Sequence, residues 1–280
     1  MGKVKSINSL MAYMRDYHDI RVSGSDQKRA LRNIGYYHGY KGYRYINNPD
    51  NKINFSDFNE ILAINDLDIK LKSLFYPKIM FIETAIKNYV LEVILDEGQS
   101  ESFHTIYTNL LTDYKRYTNG SSRYKDAFKR RLDLQNIIYG VLTRDYRNNK
   151  RIVQHFYHKD QPVPIWAIFE TISLGEFGHF VSCLNTEIKQ KVSANIGLNR
   201  AFDPEGRLTQ TIIYIIKDLR NSIAHNDVVF DARFKSSKIG NSLTSCLEND
   251  TMIRNISFST IVDYLVLVVY ILSKLRIPRT

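Results

Sequence analysis

The stretch DPEGRLTQTIIYIIKDLRNSIAHND, residues 203–227, decides how this chain folds. Asp203 followed by Pro204 is a helix-start signal: Asp suits the N-cap, and Pro at the first helical position lacks only an N–H that would be unpaired there. Beyond it, Leu208, Ile212, Ile215, Ile216, Leu219 and Ile223 recur at helical spacing and form one apolar stripe. Such a stripe must be covered by other elements, so the spacing predicts a helix over about 204–225 inside a larger core. At about 100° per residue, Arg220 flanks the stripe, while Tyr214, Lys217, Asn221 and His225 lie opposite it. Asn221 and His225 are four apart and therefore neighbours on one face.

Helical periodicity governs most of the remaining chain. Residues 3–20 read as an amphipathic helix, and Ser25 or Asp26 caps a second one to about Asn33. The Gly- and Tyr-rich segment 35–45 reads as packed but irregular. After a turn at 47–51, Ser56 opens a helix that runs to Pro77. Pro77 begins a further one carrying Ile79, Ile82, Ile86, Val90, Val93 and Ile94 to a stop at Gly98. The pair reads as a helical hairpin or a kinked rod. Helices are also expected over 102–118 and 124–148, as two short helices from 165 on with a bend between them at 173–177, and over 187–196. Residues 226–255 read as a polar connection, with a short hairpin or partial disorder as its options. Residues 261–272 read as a buried helix, too short and interrupted by Asp263 to span a bilayer. No strand pairs stand out, so the expected class is all-α.

The 280-residue chain can bury a substantial core, and 44% hydrophobic with 24% charged residues is the composition of a soluble globular protein. Cys183 and Cys246 have neither metal-ligand nor disulfide-framework spacing, which fits a reduced, cytoplasmic setting. The N-terminus lacks the apolar run of a secretory signal, and no membrane partner is expected.

The charge is uneven. Eleven basic residues (Lys115, Arg116, Arg123, Lys125, Lys129, Arg130, Arg131, Arg144, Arg147, Lys150, Arg151) face three acids in 115–151, so this segment carries most of the chain's net +10. Tyr117, Tyr124, Phe128, Tyr139 and Tyr146 are interleaved. One reading is an RNA track with stacking groups; the other is a solvated helix face whose aromatics point inward.

Arg220, Asn221 and His225 suit RNA cleavage without a metal. An imidazole can take a proton from a ribose 2′-hydroxyl or give one to the leaving 5′-oxygen. A guanidinium can stabilise charge on the phosphate, and the amide can orient the imidazole or hold a phosphate oxygen. The region has no carboxylate cluster of the kind that a two-metal nuclease needs. By spacing alone, a polar helix terminus accounts for the same residues, with His225 favoured by the helix dipole. Arg32-Asn33 with His38, and the pair His155 and His158, are read as structural.

The motif Arg220-Asn221-Ser222-Ile223-Ala224-His225-Asn226 resembles the signature of the HEPN superfamily: an Arg, a polar residue, then a His. Three further blocks resemble the bacterial Abi-like (AbiD/AbiF) abortive-infection family within it. They are Ile34-Gly35-Tyr36-Tyr37 with Gly39-Tyr40; residues 55–90, with Asp68, Leu71, Leu74, Ile82, Glu83, Ala85 and Ile86; and Pro164-Ile165-Trp166-Ala167 through Ser173-Leu174-Gly175-Glu176. Asn226 stands where a second His often occurs, and Val228 where a basic residue is common.

The resemblance implies a single HEPN-like helical bundle with additional helices over 1–280, its N-terminal helices (1–50) packed on the motif helix. It also implies a phage-defence ribonuclease of the toxin type, needing no cofactor or metal. Arg220, Asn221 and His225 would be the catalytic set. HEPN centres pair two copies of the motif, so the single copy here implies a homodimer, with Tyr214, Lys217 and Asn221 as interface candidates. RNA would be the substrate, and an RNA or protein antitoxin an inhibiting partner. The alternative is a non-catalytic RNA-binding or regulatory module held in such a complex.

Overall fold

Side-chain caps start several of the helices, and apolar period sets the faces that they bury. The computed structural model describes residues 6–235 and 239–275. Among these, the α-helices are α1 (Ile7–His18), α2 (Gly24–Ile34), α3 (Phe58–Gly98), α4 (Phe103–Asn109), α5 (Ser122–Arg147) and α6 (Arg151–Tyr157), followed by α7 (Ile165–Thr171), α8 (Leu174–Cys183), α9 (Thr186–Ile196), α10 (Leu208–Ala224), α11 (Asn241–Thr251) and α12 (Ile261–Lys274). The described residues contain no strand, only isolated bridges between Arg21 and Asp57 and between Tyr45 and Lys52. The all-α expectation holds. Among the described residues, no helix is long and apolar enough to cross a membrane.

Ser6, Ser121 and Asn185 each cap a helix through the side chain, and Ser173 with Glu176 forms a full capping box. The first expected helix is α1; residues 3–5 of its expected span lie outside the described residues.

Several boundaries differ from the sequence expectation, each for a physical reason. Residues 58–98 form one helix with Pro77 inside it, so of the two expected arrangements the continuous rod is found and the hairpin is not. Pro77 removes one hydrogen bond, but Ile61, Asp68, Phe75, Ile79, Ile82, Ile86, Val90 and Ile94 keep one buried stripe in phase across it. Helix α10 begins at Leu208, not 204. The Asp203 carboxylate accepts from the N–H groups of Arg207 and Leu208, so residues 204–207 form a turn first. Gly206 makes that turn at φ 68°, against the backbone of α9 where a Cβ would not fit. Within 102–118 only α4 and a 3-10 turn, Asp113–Arg116, are helical. Gly35–Lys41 is a π-helical turn, and its Tyr40 is fully buried. The polar connection 226–255 contains α11, whose Leu243, Cys246 and Leu247 are buried; residues 236–238 of it lie outside the described residues.

The described chain divides into two compact units. Among the described residues, unit 1 comprises 6–78, 218–235 and 257–265; unit 2 comprises 79–217, 239–256 and 266–275. In unit 1 a core of Met11, Met14, Leu31, Tyr40, Phe58 and Ile61 joins α1, α2 and the start of α3. In unit 2, Phe169 meets Phe177 and Phe180 edge-on at 5.1 and 5.0 Å, and Ile212, Ile213 and Ile216 of α10 are buried.

Candidate functional site

The motif begins in the last turn of α10 and runs into the turn that follows it, in unit 1. Arg220 and Asn221 are half-buried, Ser222 is buried, and His225, one residue past the end of α10, is exposed; of the four residues expected to face outward only His225 is exposed, Tyr214, Lys217 and Asn221 being half-buried. The Arg220 guanidinium donates from Nη1 to Asn221 Oδ1 at 3.3 Å. Within one chain, then, the amide oxygen steadies the arginine rather than the imidazole. The helix stops because Asn226 adopts a left-handed conformation, φ 57°, which Asn tolerates better than most residues. The Asp227 N–H then bonds to the Ser222 carbonyl at 2.8 Å.

That terminus is pinned by residues for which the sequence reading assigned no role at the site. Asp68 on α3 is fully buried and accepts four hydrogen bonds: Tyr43 Oη at 3.1 Å, the Val229 and Phe230 N–H groups at 2.9 and 2.8 Å, and Lys72 Nζ at 2.8 Å. Lys72 also donates to Asn226 Oδ1 at 2.8 Å. A carboxylate out of water needs such pairing. Burial first, and then the Asp68 charge, hold the Tyr43 phenol well above its usual pKa, keeping it a donor. The signal was present in the chain: Asp68 stands on the apolar stripe, seven residues from both Ile61 and Phe75, and Lys72 lies one turn further on. Asn226 and Val228, which flank the end of the motif, are held by contacts within unit 1. Asn226 ends the helix and receives Lys72, while Val228 is buried with a methyl that a Cβ on Gly42 would approach to 3.2 Å.

A second network fixes the segment beyond. Arg233 pairs with Asp231 at 2.6 Å, donates to the Gly42 and Tyr45 carbonyls at 2.7 Å each, and lies 4.0 Å from the centre of the Tyr45 ring. Asp231 accepts the Asn47 N–H at 2.8 Å. The Gly- and Tyr-rich segment is thereby fastened to the chain that leaves the motif. Between them lies a cavity of about 300 Å³, lined by His38, Ser222, Asp227 and Arg233 among others.

The interface candidates are placed differently from one another. Tyr214 is half-buried in unit 2, its ring so close to Gly178 that a Cβ there would stand 3.1 Å away. Burial raises its pKa. Lys217 Nζ lies 5.6 Å from the centre of the same ring, and Asn221 is engaged by Arg220. Helix α10 carries buried side chains on more than its predicted stripe, since Ile213 and Thr209 are also buried.

The eleven basic residues of 115–151 separate into two groups. Arg116 pairs with Glu205 at 3.0 Å, and Arg144 and Lys150 pair with buried Asp145 at 2.9 and 3.0 Å. Burial pushes the Asp145 pKa up, but the hydrogen bonds from Lys150 and Arg144 hold it below the usual value. Arg130 faces Asp113 at 3.8 Å. Arg131 donates to the Tyr107 carbonyl at 2.9 Å and stacks 3.7 Å from that ring's centre. Lys115, Arg123, Lys125, Lys129, Arg147 and Arg151 are exposed and make no ion pair with a described residue. The aromatics divide too: Tyr124 and Phe128 pack on Tyr114, whereas Tyr139 and Tyr146 are exposed.

His155 and His158 contact Lys159 and Tyr146 respectively. Among the described residues, no group of three or more His, Cys, Asp or Glu is arranged to hold a metal ion. Neither the curated proteins nor the solved structures contain a significant match to the chain. The family model for Abi-like proteins matches residues 29–231, a span that takes in the glycine-tyrosine segment, the Asp68 anchor, the basic helix and the Arg220–His225 motif, and the chain therefore belongs to the Abi-like family.

Proposed function

We propose that this Abi-like chain is a metal-independent endoribonuclease of HEPN type, acting as the toxin of an abortive-infection system. The family supports the phage-defence setting. The observation that carries the chemistry is the end of α10: a guanidinium steadied by Asn221, an exposed imidazole five residues on, and a helix terminus held by Asp68 and Lys72. Electrostatic stabilisation works best from groups that need no rearrangement during reaction.

In the proposed reaction the ribose 2′-oxygen forms a bond to phosphorus as the bond from phosphorus to the 5′-oxygen breaks. The products are a 2′,3′-cyclic phosphate and a 5′-hydroxyl. One imidazole removes the 2′ proton and another protonates the leaving oxygen. Each chain has one such His, so two chains meet in a homodimer to supply both, with Arg220 of each on the phosphate. Asn221 orients Arg220.

The test is cleavage of RNA by wild type, His225→Ala and Arg220→Ala, with and without EDTA. A cyclic-phosphate product that resists EDTA and vanishes in both variants supports the proposal; equal activity in the variants sinks it. A second reading, a non-catalytic RNA-binding module held by an RNA or protein antitoxin, is favoured by the six exposed cations on or near α5. It requires salt-sensitive RNA binding that survives His225→Ala, with no cleavage by wild type.

A further inference from the structure

Unit 2 contains a cleft of about 750 Å³ that includes no residue of the Arg220–His225 motif. Its size is that of a small-ligand site. Its walls are charged in an unbalanced way: Arg116, Arg123, Arg130, Lys189 and Arg207 face Asp113, Asp126 and Glu205.

Two of those carboxylates serve four cations. Asp113 accepts Lys189 Nζ at 2.8 Å, both being buried, and stands 3.8 Å from Arg116 and from Arg130. Glu205 pairs with Arg116 at 3.0 Å and Arg207 at 2.7 Å. A separation of 3.8 Å is too long for a hydrogen bond, and each guanidinium carries five N–H donors. Arg123 makes no ion pair with a described residue. Most of the donor capacity in the cleft is therefore unused by the protein. His179 lies among these groups, its Nε2 2.8 Å from the Arg130 carbonyl. A carbonyl can only accept, so Nε2 carries the hydrogen. Tyr117 and Tyr214 add aromatic surface to a wall otherwise made of charge.

We propose that this cleft binds a nucleoside polyphosphate, free or as the 5′ end of an RNA, with Arg123, Arg130 and Arg207 on the phosphates and a tyrosine ring against the base. Guanidinium forks match phosphate oxygens in pairs, and rings accept any base by stacking. An excess of cations on several walls fits a chain of phosphates better than one carboxylate or one phosphate. Lys189, His179, Arg207 and Tyr214 lie outside the basic segment, so the cleft differs from a track along α5. The proposal does not depend on the ribonuclease reading.

The test is calorimetric titration of the intact protein with ATP and GTP, and of His225→Ala with short RNAs bearing a 5′-triphosphate or a 5′-hydroxyl. Thermal unfolding of each variant checks that it folds. Saturable binding that falls roughly tenfold or more in Arg130→Gln and Arg207→Gln, but not in the control Arg200→Gln, is the expected result. Tight binding of free nucleotide identifies a soluble ligand; binding confined to 5′-triphosphate RNA identifies an RNA end. Absence of saturable binding to all four probes overturns the proposal. Undiminished binding by folded Arg130→Gln overturns it as well, as does equal affinity for the two RNAs without binding of free nucleotide.

Discussion

Both units bury a carboxylate beside a lysine, and the two pairs differ in what surrounds them. Asp68 meets Lys72 at 2.8 Å and also receives a phenol and two backbone N–H groups, so its acceptor sites are filled from within unit 1. Asp113 meets Lys189 at the same 2.8 Å, yet two arginines stand near it at 3.8 Å beside an open cleft. The saturated carboxylate is a positioning device: it holds the chain leaving α10 and leaves nothing for a ligand. The oversubscribed one leaves cations to spare. In each case the hydrogen-bond inventory, more than the ion pair itself, separates a fixture from a binding surface.

The largest effect is expected at the end that Asp68 holds. For the proposed RNA cleavage, His225→Ala should lower the rate by about 10²–10⁴-fold, the usual contribution of a general acid or base, with no change in unfolding temperature. A fall in unfolding temperature would instead place His225 among the structural groups. Next, Asp68→Ala should destabilise the chain by about 3–5 kcal/mol in urea unfolding, because Lys72 loses its partner and the Val229 and Phe230 N–H groups lose their acceptor. Cleavage should fall with it even where the protein remains folded.

Lys189→Met should cost less, about 1–3 kcal/mol, since Asp113 keeps two guanidinium groups close by. Losses as large as those of Asp68→Ala would erase the distinction between the two carboxylates. The smallest effect concerns acid stability in unit 2. Burial pushes the Asp250 carboxyl up, but hydrogen bonds from Asn199, Lys274, Asn249 and Tyr270 outweigh it and hold the pKa well below the usual value. A depressed folded pKa gives stability that is present above the ordinary carboxylate pKa, about 3.9, and is lost as pH falls through the folded value. Asp250→Asn should accordingly flatten the acid limb of stability against pH below about 4. An unchanged slope would show that other carboxylates set it.

Helical class, most helix positions and the exposure of His225 were legible because they depend on local rules. Period, caps and breakers act within a few residues of sequence, and the stripe on α10 turned the imidazole outward by spacing alone. Where those rules failed, a long-range contact won. Pro77 did not end α3 because the buried stripe continues in phase beyond it. Asp203 did not start α10 at 204 because Gly206 is pressed against α9.

The site divides the same way. The amino-acid sequence by itself determined the motif, the concentration of charge in 115–151 and the family to which the chain belongs. Only the tertiary structure decided which of those charges are spent on internal pairs and which remain exposed. It also decided that Asp68 reaches the chain beyond residue 226, and that Lys189 and Arg207 join Arg130 around one cleft. Neither could be read along the chain. A hydrogen bond between residues 161 apart, such as that from the Val229 N–H to Asp68, leaves no periodic trace in sequence, because its energy depends on a distance that folding sets.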